Sequence, residues 1–344
     1  MSEQIVTETS VHPMTGRSYA QRARAEISYF QRSKEPPLLP EAFHYWTNKY
    51  LRPEVERVYG TAGVVAVYAK ECAQAAAEAG IGRFLSIGSG RGDMEVELAQ
   101  KLLSSGLKDF HIDCLEIAPQ LCKEGQRLAR QKAMESHVTF VQADLNTWRP
   151  EAEHCYAAVI ANEILHHVVE LEALLDNLLH ALAPAGKLVT RDMIGRNGHR
   201  CWPEVRVIVD KLWSMLPPRC TFDQESQQFC ETYPDRHCSS EGFEGIRAQD
   251  ILPLLLERFH FEKFVAFGGI IERFTGCALG HGFRLEEDAG DRALIDMLWL
   301  TNKFLIDSGQ IKPTQLVATL RVENCPSLCG FGWAPAWCVR PCDG

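Results

Sequence analysis

The sequence predicts an α/β protein built around a mostly parallel β-sheet. From residue 83 onward, short apolar runs alternate with amphipathic stretches of about a dozen residues, the pattern of strand–helix–strand units. A glycine-rich turn from Gly88 to Gly92 follows the first apolar run, and Glu116 and Asp144 end the next two. Because the carboxyl ends of parallel strands share one edge of a sheet, we expect these groups to lie together at a ligand site.

The predicted elements alternate along the chain. Strands are expected at 84–87, 111–116, 138–142, 157–161, 187–191, 261–267 and 314–322. Helices are expected at 64–79, 93–103, 120–133, 171–182, 204–215, 248–258 and 292–306. Gly80 is a natural C-terminal stop for the alanine-rich helix that precedes the first strand. No internal repeat interrupts this order.

Changes of composition divide the chain into six segments. They are a polar, flexible N-terminal segment (1–40), N-terminal helices (41–80), a ligand-binding core (81–194), a strand-poor cap that would bind substrate (195–246), the remainder of the core with an insertion at 275–312 (247–322), and a Cys/Trp-rich tail (323–344). A proline-rich connector ending at Pro40 marks the first boundary. The length suits one α/β domain with insertions.

Composition limits the classes of partner. Of the 344 residues, 46% are hydrophobic and 24% charged, as in an ordinary globular protein. The net charge of -9 argues against long phosphate backbones as partners, so no nucleic acid is expected. No apolar run approaches the roughly 20 residues that span a bilayer, and the N-terminus lacks the basic and apolar regions of a secretory signal. We therefore expect a cytoplasmic protein with no membrane partner.

Thirteen cysteines are present, and nine of them are scattered without a repeated spacing, which favours reduced thiols. The other four are Cys325, Cys329, Cys338 and Cys342, spaced C-x3-C-x8-C-x3-C. Structural zinc sites prefer shorter spacers. Disulfides, a zinc site and a partner-binding peptide stay open, but an unstructured or loosely docked tail is the expectation.

Three features at strand ends carry the chemistry. Glycines at 88, 90 and 92 let the backbone turn tightly and approach a ligand, while the next helix presents free N–H groups. Glu116 can accept hydrogen bonds from both hydroxyls of a ribose, and Asp144 can bind the exocyclic amine of adenine. Singly, each has a simpler interpretation as a turn, a solvated acid or a helix cap. Their spacing together indicates a nucleoside-containing ligand.

With these features and the segment 159–168, the sequence resembles the class I S-adenosylmethionine-dependent methyltransferases over residues 83–322. The resemblance implies a Rossmann-like, seven-stranded, mostly parallel sheet with a reversed last strand. The predicted strand at 314–322 suits that position. It also implies S-adenosyl-L-methionine as the cofactor. A dinucleotide dehydrogenase would continue into a second mononucleotide-binding half, and the sequence shows none.

The resemblance assigns cofactor contacts to ten residues: Ser86, Gly88, Ser89, Gly90, Gly92, Glu116, Ile117, Asp144, Leu145 and Asn162. The glycines would line the methionine and ribose portions, Glu116 would hold the ribose, and Asn162 would approach the methionine amino group. At the position of Ser86 the family usually has an acid that organises the loop. A serine keeps the hydrogen bond without the charge, and Asp93 is the neighbour that could supply it.

Candidates for a proton acceptor follow the fourth and fifth strands. Histidine has the ordinary pKa best suited to proton removal near neutrality. The candidates are His167, which we favour, His166, Asp192, His199 and Glu204. Each also has a purely structural interpretation as a cap or a solvated charge. Several of them could bind a metal, together with His237 and Cys238, but their spacing is not diagnostic, so we predict no metal site.

Three functions are compatible with these residues. The first is methylation of a small-molecule acceptor at oxygen, nitrogen or carbon, in specialised metabolism, which the enclosed cap and the acidic charge favour. The second is methylation of a peptide or protein docked on the cap. The third is a non-catalytic scaffold that binds S-adenosylmethionine, which the serine at position 86 favours. The sequence identifies neither the acceptor nor the oligomeric state.

Overall fold

The computed structural model describes residues 18–32 and 38–341. Four helices precede the sheet: α1 (Tyr19–Arg32), α2 (Glu41–Trp46), α3 (Arg52–Tyr59) and α4 (Val64–Ala79). Gly80 has φ 66° and ends α4, as its sequence position predicts. The prediction of a flexible segment over 1–40 is wrong for 18–32, because α1 buries Arg22 and Glu26 against the rest of the chain. The other residues of that segment before position 38 lie outside the described part.

Strands and helices then alternate as predicted, with ends within a few residues of the expected ones. They are β1 (Arg83–Ile87), α5 (Asp93–Ser104), β2 (His111–Glu116), α6 (Pro119–Gln131), β3 (Val138–Gln142), β4 (Tyr156–Asn162), α7 (Leu171–Ala181) and β5 (Leu182–Met193). The largest difference is the start of β5, which is five residues early. Leu182 already pairs with Tyr156 of β4 across an irregular register, a contact that periodicity does not reveal.

After β5 the chain crosses the predicted cap and returns to the sheet. The elements are α8 (Pro203–Trp213), β6 (Phe222–Asp223), β7 (Gln228–Phe229), α9 (Ala248–Arg258), β8 (His260–Phe267), α10 (Ile271–Thr275), α11 (Ala289–Asp307), β9 (Gln315–Arg321), β10 (Leu328–Cys329) and α12 (Pro335–Cys338). The strands β6 and β7 form a separate two-stranded sheet. None of the helices in the described ranges is long and apolar enough to span a bilayer.

The main sheet has the order β10-β8-β9-β5-β4-β1-β2-β3. Neighbours from β1 to β5 pair in parallel, whereas β9 lies antiparallel between β5 and β8. The reversed last strand of a Rossmann-like methyltransferase sheet is thus confirmed in β9. An eighth strand, β10, was not predicted. It comes from the tail and pairs in parallel with β8.

Helices cover both faces of the sheet, so its central strands are buried. Leu85 of β1 packs in one apolar cluster, and its neighbour Phe84 packs in the cluster on the opposite face. Successive side chains of a strand point to opposite faces, so one strand supplies both clusters. The carboxyl ends of β1, β2, β4 and β5 remain at one edge, where the loops that follow them meet.

The tail packs on the core. Trp333 is 4% exposed, and its indole N–H donates a 2.8 Å hydrogen bond to Asp307 of α11. The expectation of an unstructured or loosely docked tail is therefore wrong for residues 323–341. Phe331 and Trp333 bring aromatic surface to Trp299, and burying that surface stabilises the docked chain. The tail cysteines are free thiols up to Cys338, and the last lies outside the described residues.

Candidate active site

The loop between β1 and α5 has a backbone that favours glycine. Gly88, Gly90 and Gly92 have φ values of 67°, 56° and 78°, in the left-handed region. A Cβ on Gly88 would lie 2.3 Å from Cγ1 of Ile164, whereas one on Gly90 would enter open space. The carbonyl oxygen of Leu115 accepts hydrogen bonds from the N–H groups at 88 and 89, at 2.8 and 3.1 Å. The loop is therefore tied to the end of β2.

Ser86 meets a carboxyl group from the helix that follows. Its hydroxyl donates a 2.7 Å hydrogen bond to Oε1 of Glu95 in the first turn of α5. Burial raises the pKa of Glu95 to about 7. Its Oε2 is buried with no hydrogen-bond partner among the described residues. The acid beside the serine is thus Glu95 and not Asp93, which is exposed at the start of the helix.

Glu116 lies at the end of β2 and is 8% exposed. Its Oε2 accepts a 2.9 Å hydrogen bond from the N–H of Gly90, and its Oε1 accepts a 2.8 Å bond from the N–H of Ala118. Burial raises the pKa of Glu116, and these N–H groups offset part of the rise. The carboxyl group is thereby fixed beside the glycine loop, with oxygen lone pairs left for a ligand.

Asp144 is held by its own loop and by the N-terminal helix. Its Oδ1 accepts a 3.0 Å hydrogen bond from the N–H of Asn146, and its Oδ2 accepts a 2.5 Å bond from the hydroxyl of Tyr19. The ring of Tyr19 also lies 5.3 Å from that of Phe243, between centroids. Helix α1 therefore covers this end of the site together with the cap.

One pocket with about 750 Å³ of empty space, partly open to solvent, joins these groups. Seven of the predicted site residues line this pocket: Gly88, Gly90, Glu116, Ile117, Asp144, Leu145 and His167. Sequence reasoning missed Glu26, Phe30 and Phe243, which also line it. They come from α1 and the cap, and no local motif marks them.

The remaining predicted cofactor residues do not line this pocket. Gly92 serves packing, because a Cβ there would lie 2.2 Å from Cζ of Phe140. The hydroxyl of Ser89 is buried without a hydrogen-bond partner in the described part of the chain. Asn162 is turned toward α4, where its Oδ1 accepts a 3.0 Å hydrogen bond from the hydroxyl of Tyr68. Ser86 acts on the loop through Glu95.

His167 forms part of the pocket wall. Its Nδ1 is hydrogen-bonded to Oε1 of Glu26, and its Nε2 lies 3.4 Å from Oε2 of Glu244. The ring of Phe30 packs 5.9 Å away, between centroids. Because one ring nitrogen is paired with a carboxylate, the imidazole has a fixed orientation at the edge of the pocket.

His166 is buried behind His167 and has a different electrostatic environment. Its Nδ1 lies 2.6 Å from Oδ1 of Asp192, and its Nε2 lies 3.4 Å from Oε1 of Glu244. Burial by itself would lower the pKa of His166, but the charge and hydrogen bond of Asp192, together with Glu244, raise it to about 10. The imidazole is therefore protonated at neutral pH.

Asp192 positions the segment that carries both histidines. It is 2% exposed and lies near the carboxyl end of β5. Its Oδ2 accepts hydrogen bonds from the N–H groups of Ile164 and Leu165, at 3.1 and 2.8 Å. The carboxylate thus fixes the turn after β4 as well as the ring of His166.

His199 reaches the same cluster from the loop after β5. Its Nε2 lies 2.6 Å from Oε1 of Glu244. Burial lowers the pKa of His199. Burial would raise the pKa of Glu244, but its hydrogen bonds with His166 and His199 hold it well below the usual range. Glu244 was absent from the predicted site, because only the folded cap brings it to the histidines.

Glu204 has other neighbours. It lies in the first turn of α8, and its Oε1 lies 2.9 Å from Nε of Arg340 in the tail. Residues His166, His167, Asp192 and His199 are thus brought together, while Glu204 has an ion pair with the docked tail.

Comparison with known proteins agrees with this topology. Residues 84–186 match the family model described as a methyltransferase domain, and this stretch runs from β1 into β5. No curated protein matches the chain significantly.

Several solved structures are similar in overall fold. A geranyl diphosphate C-methyltransferase from Streptomyces coelicolor A3(2) is 13% identical, with 89% of this chain and 100% of that chain covered and a TM-score of 0.45. The [4+2]-cyclase SpnF is 12% identical, covers 84% and 99%, and has a TM-score of 0.41. The O-MT segment of StiE is 12% identical, covers 89% and 82%, and has a TM-score of 0.42. Such distant likenesses carry no information on the substrate.

The hydrogen-bond acceptors in the pocket fit S-adenosylmethionine, the expected cofactor. Glu116 retains acceptor capacity for ribose hydroxyls, Asp144 retains it for an amine, and the space beside Gly90 is open to a close approach. Together with the family match, these observations show a methyltransferase domain over residues 84–186, within a Rossmann-like sheet that includes the reversed strand β9.

Proposed function

We propose that this enzyme transfers the methyl group of S-adenosylmethionine to a small-molecule acceptor by in-line displacement, with His167 assisting. The observation that supports this most strongly is the convergence of the glycine loop, Glu116, Asp144 and His167 on one pocket. When bound, the cofactor supplies an electrophilic methyl group on a sulfonium. The protein's task is then to hold the acceptor in line and to remove its proton.

Each group has a role in this proposal. Glu116 holds the ribose hydroxyls, and Asp144 with Leu145 holds adenine. Asn162 presents its backbone carbonyl to the methionine amino group, because its side chain is bonded to Tyr68. Gly90 lets the backbone approach the ligand without a Cβ in the way.

His167 is the proposed proton acceptor. Glu26 pairs with its Nδ1, which fixes the ring and leaves Nε2 to take a proton. His166 is unsuited to this role, because its raised pKa of about 10 keeps it protonated at neutral pH. The two adjacent histidines therefore have separate functions, set by their carboxylate partners.

A small acceptor fits better than a protein. Helix α1 and the cap cover the pocket, through the contact of Tyr19 with Phe243 and that of Phe30 with His167. A second, polar cleft shares Glu26 and Phe30 with the cofactor pocket and offers a route for the acceptor. A folded protein substrate would have to displace α1 to reach His167.

Calorimetry with S-adenosylmethionine tests the cofactor site. We expect binding by the wild type and a large loss with Glu116→Ala or Asp144→Ala. Glu97→Ala, a change at an exposed acid of α5, is the matched control and should bind normally. Absence of binding by the wild type would contradict the proposal, and normal binding by Asp144→Ala would contradict the assignment of that residue.

A screen for release of S-adenosylhomocysteine over classes of small hydroxyl, amine and carbon acceptors tests the transfer. With an acceptor in hand, His167→Ala should lose turnover while it retains cofactor affinity. Equal turnover in wild type and variant would show that His167 takes no part in the methyl transfer.

A further inference from the structure

We infer that His166, His199 and Glu244 form a binding site for a divalent transition-metal ion, which holds the acceptor next to the cofactor pocket. The role of the metal in acceptor binding rests on the proposed function, whereas the site itself rests on geometry alone. No motif in the sequence predicts it, because its three ligands come from separate parts of the chain.

The ligand atoms are spaced as a metal requires. One nitrogen of each histidine and one oxygen of Glu244 all lie within 4.8 Å of one another. Nε2 of His166 is 3.4 Å from Oε1 of Glu244, and Nε2 of His199 is 2.6 Å from the same oxygen. Ligands about 2.0–2.2 Å from a tetrahedral metal lie about 3.4 Å apart, so the first distance already suits a metal and the second has to open.

A buried carboxylate orients the first ligand. The contact of Oδ1 of Asp192 with Nδ1 of His166, at 2.6 Å, places Nε2 of that ring toward Glu244. Metal-binding histidines commonly donate their second N–H to a carboxylate in this way, which fixes the tautomer and raises ligand basicity. The metal would take the place of the proton on Nε2 of His166, which is released on binding. Asp192 is itself held by two backbone N–H groups, so the arrangement is rigid before a metal arrives.

The second ligand is held in an unusual backbone conformation. His199 has φ 56°, in the left-handed region that residues with a side chain rarely adopt. Its carbonyl accepts a 2.8 Å hydrogen bond from Arg273. Its ring packs so closely on Gly245 that a Cβ there would lie 2.9 Å from Cε1. These contacts fix the loop that carries His199 and the loop that carries Gly245, with the imidazole of His199 facing Glu244.

The ligand set indicates the kind of ion. Two imidazoles and one carboxylate suit zinc, iron(II) or similar first-row ions, whereas magnesium and calcium prefer oxygen ligands. Three protein ligands leave a position for an exogenous oxygen or nitrogen. Glu244 is 40% exposed at its side chain and borders the polar cleft, so an acceptor atom can reach that position.

The site would prepare the acceptor for transfer. A bound cation lowers the pKa of an acceptor hydroxyl. The proton of the acceptor hydroxyl passes to Nε2 of His167, which lies 3.4 Å from Glu244. The oxygen of that hydroxyl forms the new bond to the methyl carbon. The C–S bond breaks with both electrons remaining on sulfur, which leaves a neutral thioether. An acceptor with two neighbouring oxygens, such as a catechol or a hydroxy acid, would chelate the ion best.

Cobalt(II) titration of the chelator-treated full-length protein tests the site. We expect one equivalent of Co²⁺ per chain with visible d–d absorption and without the near-ultraviolet band of thiolate ligation. His199→Ala and Glu244→Gln should each weaken binding by at least about tenfold, and Asp192→Asn by about 10–100-fold. His180→Ala, which removes an exposed histidine of α7, is the matched control and should bind as the wild type does.

Two results would overturn the inference. One is no stoichiometric binding, in which case the cluster is a hydrogen-bonded network around a protonated His166. The other is binding that survives both His199→Ala and Glu244→Gln, or that shows a thiolate band. Thermal unfolding of each variant checks that it folds. Calorimetry with S-adenosylmethionine on the same samples separates the outcomes, because loss of metal binding with intact cofactor binding contradicts the metal site alone.

Discussion

The hydroxyl of Ser86 donates a 2.7 Å hydrogen bond to the carboxyl group of Glu95, so an acid from the next helix lies beside the serine at the end of β1. The carboxyl comes from the first turn of α5, where the free N–H groups of a helix start favour negative charge. Full burial nevertheless raises its pKa to about 7. The loop is thus supported by an acid that is partly neutral at physiological pH.

Replacing Glu95 should change stability in a pH-dependent way. Its folded-state pKa of about 7 lies above the ordinary 4.5, so its carboxyl group destabilises the fold progressively as the pH rises from about 4.5 to 7. We expect Glu95→Gln to be more stable than the wild type at pH 8, by up to about 3 kcal/mol, with the difference vanishing toward pH 4.5. Urea unfolding of both proteins across this pH range measures the difference in unfolding free energy. Glu97→Gln serves as the exposed control, and a gain independent of pH would contradict the explanation.

Two loop glycines should respond differently to alanine. At Gly88 the backbone is in the left-handed region, and a new Cβ would collide with Ile164. Gly88→Ala should therefore cost about 2–5 kcal/mol of unfolding free energy. At Gly90 the space is open, so Gly90→Ala should cost only about 1 kcal/mol but should weaken cofactor binding. Denaturant unfolding and calorimetry on the pair separate these effects. Equal losses of stability would show that the contact with Ile164 is unimportant.

The N-terminal helix should contribute to cofactor affinity through Tyr19. Its hydroxyl orients Asp144, and a hydrogen bond to a charged group contributes about 1.5 kcal/mol or more. Tyr19→Phe should therefore weaken S-adenosylmethionine binding by up to about tenfold, as calorimetry would show. Tyr29→Phe alters an exposed tyrosine of the same helix and should have no effect. Unchanged affinity in Tyr19→Phe would mean that α1 does not support the adenine site.

The docked tail should stabilise the core through one of its two tryptophans. Trp333 is buried and bonded to Asp307, so Trp333→Ala should cost about 3–5 kcal/mol. Trp337 is 45% exposed and packs mainly under Lys312, so Trp337→Ala should cost about 1 kcal/mol or less. Thermal or urea unfolding compares them. Similar small losses in both would contradict a structural role for the tail.

The local pattern of the sequence was sufficient to predict most strands of the sheet. The bounds predicted for α4, β2, β3 and α9 match the observed ones, because apolar periodicity and glycine stops act within a few residues. The spacing of the glycine loop, Glu116 and Asp144 likewise predicted a shared pocket, since parallel strands bring their carboxyl ends together. These features follow from the sequence alone.

Other features depended on contacts between distant segments. Glu95 of α5 lies beside Ser86, and Glu26 of an unexpected helix pairs with His167. Glu244 of the cap meets His166 and His199. None of these partners has a local signature, since a charged residue in a polar stretch looks the same whether it is solvated or buried. The sequence by itself determined most of the sheet and the strand ends that meet at the pocket. Only the tertiary structure decided which carboxylates lie beside each histidine, because burial and distance exist only once the chain has folded.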